Sequence, residues 1–290
     1  MDYLEHVLIL ICIYTILAVS LDLLAGHTGL LSIAHAAFYG LGAYASALMT
    51  VFYGAPFLLG VLAGIGVALV SSFIVSLPSL RLQEDYFVIA TFGFQVIIFS
   101  IFNNWANLTQ GPVGITGIPQ PVVFGWTINT HLVFLGGSAI FAAFAYLIVG
   151  LIASSPFGRV LRAIREDEVF TKALGKNTFS FKVAAFAVSA ALAAIAGSLY
   201  AHYITFIDPS TFTVMESILV ISMVIIGGAG SRWGPLIGAV VLVTFPEALR
   251  FIGLPSSVAA PLRQVIYGVL LVTMMMARPR GLVGKYGIGR

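Results

Sequence analysis

Charge is what this sequence lacks most. Only 9% of its 290 residues are Asp, Glu, Lys or Arg, while 60% are hydrophobic; soluble domains carry about 25% charged residues. So few charges cannot cover a water-facing surface, because most of the exterior would then be apolar. Cysteine is down to one, Cys12, which excludes an intrachain disulfide and a multi-cysteine metal site. The net charge of +3 is too small to point to nucleic acid. No Gly-x-x-x-x-Gly-Lys-Ser/Thr phosphate loop occurs: Gly175-Lys176 lacks both the earlier glycine and the hydroxyl residue. A His-Glu-x-x-His metal motif and a nucleophile–base pairing are missing too, which counts against an intramembrane enzyme. No Lys or Arg precedes Arg81. The first apolar run therefore has no basic leader and, at about 21 residues, is long enough to cross the hydrocarbon. It reads as a retained span.

What the sequence has in abundance is long apolar runs. Crossings are expected at 4–24, 30–53, 56–78, 86–103, 131–153, 182–204, 234–252 and 261–277. A shorter run, 215–230, ends in Gly227-Gly228-Ala229-Gly230 and makes a ninth. The expected fold is an all-α polytopic membrane protein with eight or nine transmembrane helices, forming one domain over 1–290. Basic residues favour the cytoplasmic side. Nine crossings with the tail inside place Arg81, the six basic residues from Arg159 to Lys182, Arg232, Arg278, Arg280, Lys285 and Arg290 on that side. Only Arg250 and Arg263 fall outside, so the division is twelve against two. Residues 104–130, rich in Gly and Pro and free of charge, become a periplasmic loop, with Trp105 and Trp126 suited to the interface.

Residues 154–181 are the most charged stretch and are expected in the cytoplasm. Ser155 and Pro156 read as N-cap and first helical residue. Phe157, Val160, Leu161 and Ile164 repeat at helical spacing, Arg162 and Glu166 stand four apart and can pair, and Gly175 is a stop. The pattern fits a solvated connector, or equally an amphipathic helix whose apolar stripe enters a partner's groove. Arg159, Arg162, Arg165, Glu166 and Asp167 fall on its wet side.

Gly26-His27-Thr28-Gly29 interrupts the apolar pattern, followed by Ser32 and His35. Gly227–Gly230 with Trp233-Gly234-Pro235 does so again in the other half. Broken helices in a membrane line cavities or lie buried in protein, and paired breaks point to a translocation path. A half-helix N-terminus offers N–H groups to an anion such as an amino acid carboxylate. Gly40 and Gly42 read first as glycines of close helix packing. His27 and His35 have no carboxylate or Cys at ligand spacing, so no metal site is expected and a hydrogen-bonded cavity wall is the better reading. Asp22, Glu216 and Glu247 are ionisable groups within spans, where burial is costly. Thr91, Gln95 and Asn103 line the fourth span, either on a polar path or as interhelical hydrogen bonds. The expected pathway set is Gly26, His27, Thr28, Gly29, Ser32, His35, Thr91, Gln95, Asn103 and Glu216.

Several segments together resemble the branched-chain amino acid ABC permease family, and the similarity covers most of the chain. They are DLLAGHTGLLSIAHAAFYGLGAY (22–44), YFVIATFGFQ with LTQGPVGITGIP, GRVLRAIREDEVFTKALGKNTFSFKVAAFAVSAALAAIAGSLYA, DPSTFTVMESILVISMVIIGGAGSRWGPLIGA (208–239) and RPRGLVG (278–284). Of that system's two permeases it is more similar to the one with the longer outer loop. The chain departs from the pattern at Gln95-Val96-Ile97-Ile98, where family members carry an acidic residue followed by Arg, which leaves the substrate open.

The resemblance implies an importer-type permease in the bacterial inner membrane, working by alternating access. Its partners would be a second homologous permease, two ATP-binding subunits and a periplasmic substrate-binding protein. ATP and Mg would be bound by those subunits and no cofactor by this chain. Gly158, Arg159, Arg162, Ile164, Arg165, Glu166, Ala173, Leu174 and Gly175 would couple the chain to the ATPases. Branched-chain amino acids lead as substrates, ahead of urea, short amides and other small organic solutes. An ion-coupled secondary transporter would show carboxylate relays within its spans, whereas the main ionic cluster here is cytoplasmic.

Overall fold

Where water is absent, the backbone must bond to itself, so each long apolar run closes into a helix. A computed structural model describes residues 2–80, 84–123, 126–127, 130–250, 265–266, 268–269, 271–273, 276 and 281–284. The long helices are α1 (Asp2–Ala25), α2 (His35–Tyr53), α3 (Phe57–Ser79), α4 (Glu84–Asn104), α6 (His131–Ser154), α9 (Thr178–Ile204), α10 (Val214–Gly227) and α11 (Gly234–Arg250). Shorter ones are α5 (Ala106–Thr109), α7 (Pro156–Glu166) and α8 (Glu168–Ala173). Two-residue strands β1 (Ile115–Thr116), β2 (Val122–Val123), β3 (Trp126–Thr127) and β4 (Phe206–Ile207) and short 3-10 turns at Gly111–Val113 and Pro209–Thr211 accompany them.

Seven helical stretches among the described residues are long and apolar enough to cross a membrane, and Gly234–Phe245 is a shorter apolar helix. The fold is the expected all-α polytopic one. Most of the 261–277 crossing lies outside the described residues. So do Arg81, Arg263, Arg278, Arg280, Lys285 and Arg290, and the side chains of Trp126, Glu247 and Arg250. The expected 30–53 crossing needs correction: its helix starts only at His35, and 29–34 is irregular.

Helix α9 lies at the centre and packs on α1, α2, α3 and α6. Its length from Ala185 to Ala201 is mostly Ala, Ser and Gly, and small side chains let helix backbones approach in a membrane. At the α2–α9 crossing a Cβ on Gly197 would overlap the Tyr39 carbonyl, and one on Gly42 would overlap the Ala194 backbone. Only hydrogen fits at either place. By contrast α6 is mostly open on its outward side, as a lipid-facing helix would be.

Two faces can be told apart. On one, His6 Nδ1 meets Tyr203 Oη at 2.6 Å, and β1 of the 104–130 loop pairs antiparallel with β4, Ile115 opposite Ile207. On the other, Asp22 near the end of α1 meets Gly230, and the amides of Leu282 and Val283 donate to Ile226 O and Gly227 O at 2.8 and 3.0 Å. The 281–284 stretch thus shares a face with the end of α1, with α7 and with α8.

Candidate translocation and coupling site

The two interrupted segments meet at two depths. The deeper junction forms where α2 begins. His35 lies beside Ser20 of α1, their Nε2 and Oγ 3.0 Å apart, and Ser20 is about 7 Å before the helix end at 1.5 Å per residue. The chain therefore leaves α1 at the inner face, turns back through 26–34 and starts α2 within the membrane. Helix α10 starts there too: the Tyr14 hydroxyl, about 16 Å from the end of α1, donates to Glu216 Oε1 at 2.6 Å.

Two half-helix N-termini are thus brought together, and their free N–H groups need acceptors. Ala36 N donates to Ser217 Oγ at 2.9 Å and Ala37 N to Gln95 Oε1 at 2.6 Å. Gln95 Nε2 in turn donates to Phe212 O at 2.8 Å, and the Ser217 hydroxyl donates to Gln95 Oε1 at 3.4 Å. Thr91, one turn earlier on α4, accepts from Ile33 N at 3.2 Å. One face of α4 thereby ties the irregular segment, α2 and α10 into a unit.

At the inner face, Gly230 N donates to Asp22 Oδ1 at 2.7 Å, and His27 Nδ1 lies 3.2 Å from Asp22 O. A Cβ on Gly26 would overlap both Asp22 Oδ1 and Gly230 N, so the two glycine interruptions touch only because Gly26 has none. Arg165 of α7 donates to Gly26 O and its aliphatic stem lies under Gly29, whose φ of +78° suits glycine. Beside this junction is a cavity of about 680 Å³, lined by Asp22, His27, Arg162, Gly230 and Trp233 among others.

The pathway residues divide accordingly. Gly26, His27, Thr28 and Gly29 lie at the inner junction. His35, Thr91, Gln95 and Glu216 lie at the deeper one, and Ser32, buried, lies on the segment between. Asn103 sits apart, in the last turn of α4 toward the outer face. His27 lines the cavity, whereas His35 is buried between Ser20 and Ser189. Among the described residues no cluster could hold a metal.

Residues 154–181 correct the sequence reading in three ways. Ser155 does cap the helix, accepting from Gly158 N at 3.3 Å, but the helix breaks at Asp167, whose carboxylate caps α8 by accepting from Phe170 N at 2.8 Å. Second, Arg162 and Glu166 form no ion pair. Arg162 turns back to Ala153 O at 2.9 Å, satisfying a carbonyl at the end of α6. Third, the apolar stripe of α7 is not presented to a partner. Leu161 and Ile164 are buried in the chain's own core, and Phe157 packs on Phe181. The open apolar surface belongs to α8 and the residues after it: Val169, Phe170 and Leu174 are 78%, 62% and 63% exposed. Arg159, Glu166, Ala173 and Gly175 are exposed beside them.

Sequence reasoning missed Glu168 and Lys182. Lys182, in the first turns of α9, is buried, and its Nζ lies 2.6 Å from Glu168 Oε2. The Thr178 hydroxyl donates to Glu168 Oε1 at 2.9 Å, and Lys172 Nζ lies 3.1 Å from the same oxygen. Burial pushes the Glu168 carboxyl up, but the Lys182, Thr178 and Lys172 donors outweigh it and hold it below the ordinary carboxylate value. The only available signal was opposite charges fourteen residues apart across a predicted turn.

The family described as branched-chain amino acid transport system, permease component, matches residues 3–275. The chain is 34% identical to the high-affinity branched-chain amino acid transport system permease protein LivM of Salmonella typhimurium, over 93% of this chain and 68% of that protein. It is 33% identical to LivM of Escherichia coli over the same shares. Similarity to the permease protein LivH of Salmonella typhimurium is lower, 24%, but spans 94% of this chain and 91% of that one. No solved structure matches.

Proposed function

The chain belongs to the family of branched-chain amino acid transport system permeases, and from that premise we propose that it forms half of the translocation path of an ATP-driven importer for leucine, isoleucine and valine. Its partner in the membrane is a second permease of the same family, as the likeness to both LivM and LivH supports. Two ATP-binding subunits act from the cytosol, a periplasmic binding protein delivers substrate, and the bacterial inner membrane is the site. Substrate passes between the permeases along 26–44 and 91–117, and inward opening is driven through 158–175.

The observation that carries this reading is the exposed triad Val169, Phe170 and Leu174 on the basic face. Three large apolar side chains within six residues, facing water, mark a docking site for another protein. Helix α8, which bears the first two and ends just before Leu174, is joined to the same α7 whose Arg165 holds Gly26. A motor gripping α8 therefore sits one short helix away from the inner junction. A conduit must also release what it binds, in keeping with a deep junction where Gln95, Ser217 and the Ala36 and Ala37 amides are already bonded to one another.

The test is reconstitution of the full complex in proteoliposomes with labelled leucine, isoleucine and valine. Uptake that requires both ATP and the binding protein is expected. Uptake undiminished without nucleotide overturns the assignment. Urea and short amides belong in the same assay as competitors, because Gln95-Val96-Ile97-Ile98 departs from the acidic-then-Arg pattern of the family the sequence resembles.

A further inference from the structure

Helix α8 has six residues, too few to hold a place by its own helical stability. Its hydroxyl and carboxylate contacts decide where it sits. Glu168, its first residue, is fastened to Lys182 at 2.6 Å and to Thr178 at 2.9 Å, both on α9. Thr171, on the next turn, is buried and donates to Asp167 O at 2.8 Å. The apolar side chains Val169 and Phe170 of α8 are exposed instead. The helix thus offers one side to the cytosol and is anchored on the other by an ion pair.

The anchor point is unusual for its burial. The Lys182 side chain is 5% exposed and Glu168 26%. Lys182 cannot swing to bulk water without breaking contacts around it, so its ammonium depends on Glu168 for a partner. Removing one member of such a pair strands the other charge, which costs far more than losing a surface pair.

From Lys182 the connection continues without a soft element. Helix α9 runs unbroken from Thr178 to Ile204 and meets α2 in backbone contact at Gly197 and Gly42. The start of α2, in turn, is the segment held by Gln95 and Ser217 at the deeper junction. A displacement of α8 transmitted to α9 must reach α2, because packed helices of this kind shift as bodies rather than deform.

We infer that Glu168 and Lys182 are positioning residues for transport, forming a buried latch through which α8 moves α9 and, with it, the start of α2. The inference rests on the functional reading above and names the residues that carry its mechanical step. Arg165 on Gly26 acts on the inner junction, and the latch acts on the deeper one; α8 governs both because it follows α7 directly.

The test uses the complete complex in proteoliposomes, with ATP hydrolysis, substrate uptake and co-purification of the ATP-binding subunit measured together. Glu168→Gln and Lys182→Met are expected to retain the ATP-binding subunit and basal hydrolysis while uptake per ATP falls by at least about tenfold. The exchanged pair Glu168→Lys with Lys182→Glu is expected to recover most of that ratio, which a purely structural loss of stability does not predict. Lys176→Gln, an exposed cation after α8 outside the pair, is expected to leave the ratio unchanged. Single variants that fold and keep the wild-type ratio overturn the latch. If the single variants fail to fold, the exchanged pair decides: a monodisperse exchanged complex that stays uncoupled overturns it, and one that regains coupling supports it. A wild-type complex that transports without nucleotide would remove the functional reading itself, an outcome separate from failure of the latch alone.

Discussion

Gln95 on α4 accepts the amide of Ala37 at 2.6 Å while its own amide donates to Phe212 O at 2.8 Å. One side chain therefore closes the N-terminus of α2 and holds the segment leading into α10. A half-helix N-terminus can be an anion site, but here the N–H groups of Ala36 and Ala37 already have acceptors from within the chain. Any substrate carboxylate arriving at this depth would compete with Gln95 and Ser217.

Replacing Gln95 tests that arrangement. Gln95→Leu takes the side-chain donor from Phe212 O and leaves Ala37 N–H only its longer bond to Ala34 O at 3.1 Å, at a cost of about 1–3 kcal/mol for a buried group that loses its partner. A lowered melting temperature and strongly reduced uptake are expected. Gln95→Glu keeps an acceptor beside the positive helix end and loses only the donor to Phe212 O, so its melting temperature should lie between the two. Equal melting temperatures for Gln95→Leu and wild type would show that these bonds hold nothing.

The α2–α9 crossing gives a sharper steric prediction. Gly197→Val puts a branched side chain where even a Cβ overlaps the Tyr39 carbonyl. Overpacking typically costs about 1–3 kcal/mol, and more is expected where backbone has to move. Monodisperse yield in detergent should fall sharply. Gly136→Ala on α6, where an added Cβ meets nothing within 4 Å, should give wild-type yield.

How much of this could be read from the chain depends on the kind of interaction. The crossings and their orientation follow from apolar length and from where Lys and Arg fall, and both are local properties. The stripe of Leu161 and Ile164 shows that one face of α7 is buried, but periodicity does not say against what, and here the answer is the chain's own core. The start of α2 at His35 could not be placed either, because Leu30, Ile33 and Ala34 continue the apolar run. What fixes its start is the bonding of Ile33 N to Thr91 and of Ala37 N to Gln95, each 58 residues away in sequence. The pairing of Glu168 with Lys182 was hidden for the same reason: a turn at Gly175 brings together charges fourteen residues apart.

The docking surface predicts a separable phenotype. Val169→Ser, Phe170→Ser and Leu174→Ser together remove three exposed apolar side chains that pack little within the chain. Surface changes of this kind alter stability by about 0.5 kcal/mol or less each, so membrane insertion and melting temperature should stay close to wild type. Retention of the ATP-binding subunit on an affinity column should be lost, and uptake with it. Ile164→Ser should do the reverse, destabilising the chain because that residue fills the core. A triple variant that still retains the ATP-binding subunit would move the docking surface elsewhere.

Acid should release α8, and the sign follows from Glu168. Its carboxyl is held below the ordinary value chiefly by donors on and near α9, against the opposing pull of burial. A group with a lowered folded-state pKa contributes stability that is present above its unfolded value, about 4.3 for Glu, and is lost as pH falls through the folded value. Attachment of α8 to α9 should therefore be insensitive to pH from neutrality down to about 5 and weaken only below the ordinary carboxylate range. A spin label on Lys176→Cys, in a Cys12→Ser background in nanodiscs, should report constant mobility across the upper window and a rise in the lower one. In Glu168→Gln the label should be mobile throughout, because the Lys182 ammonium then has no carboxylate to hold. A mobility rise centred near pH 6 or above would mean that another group controls the attachment.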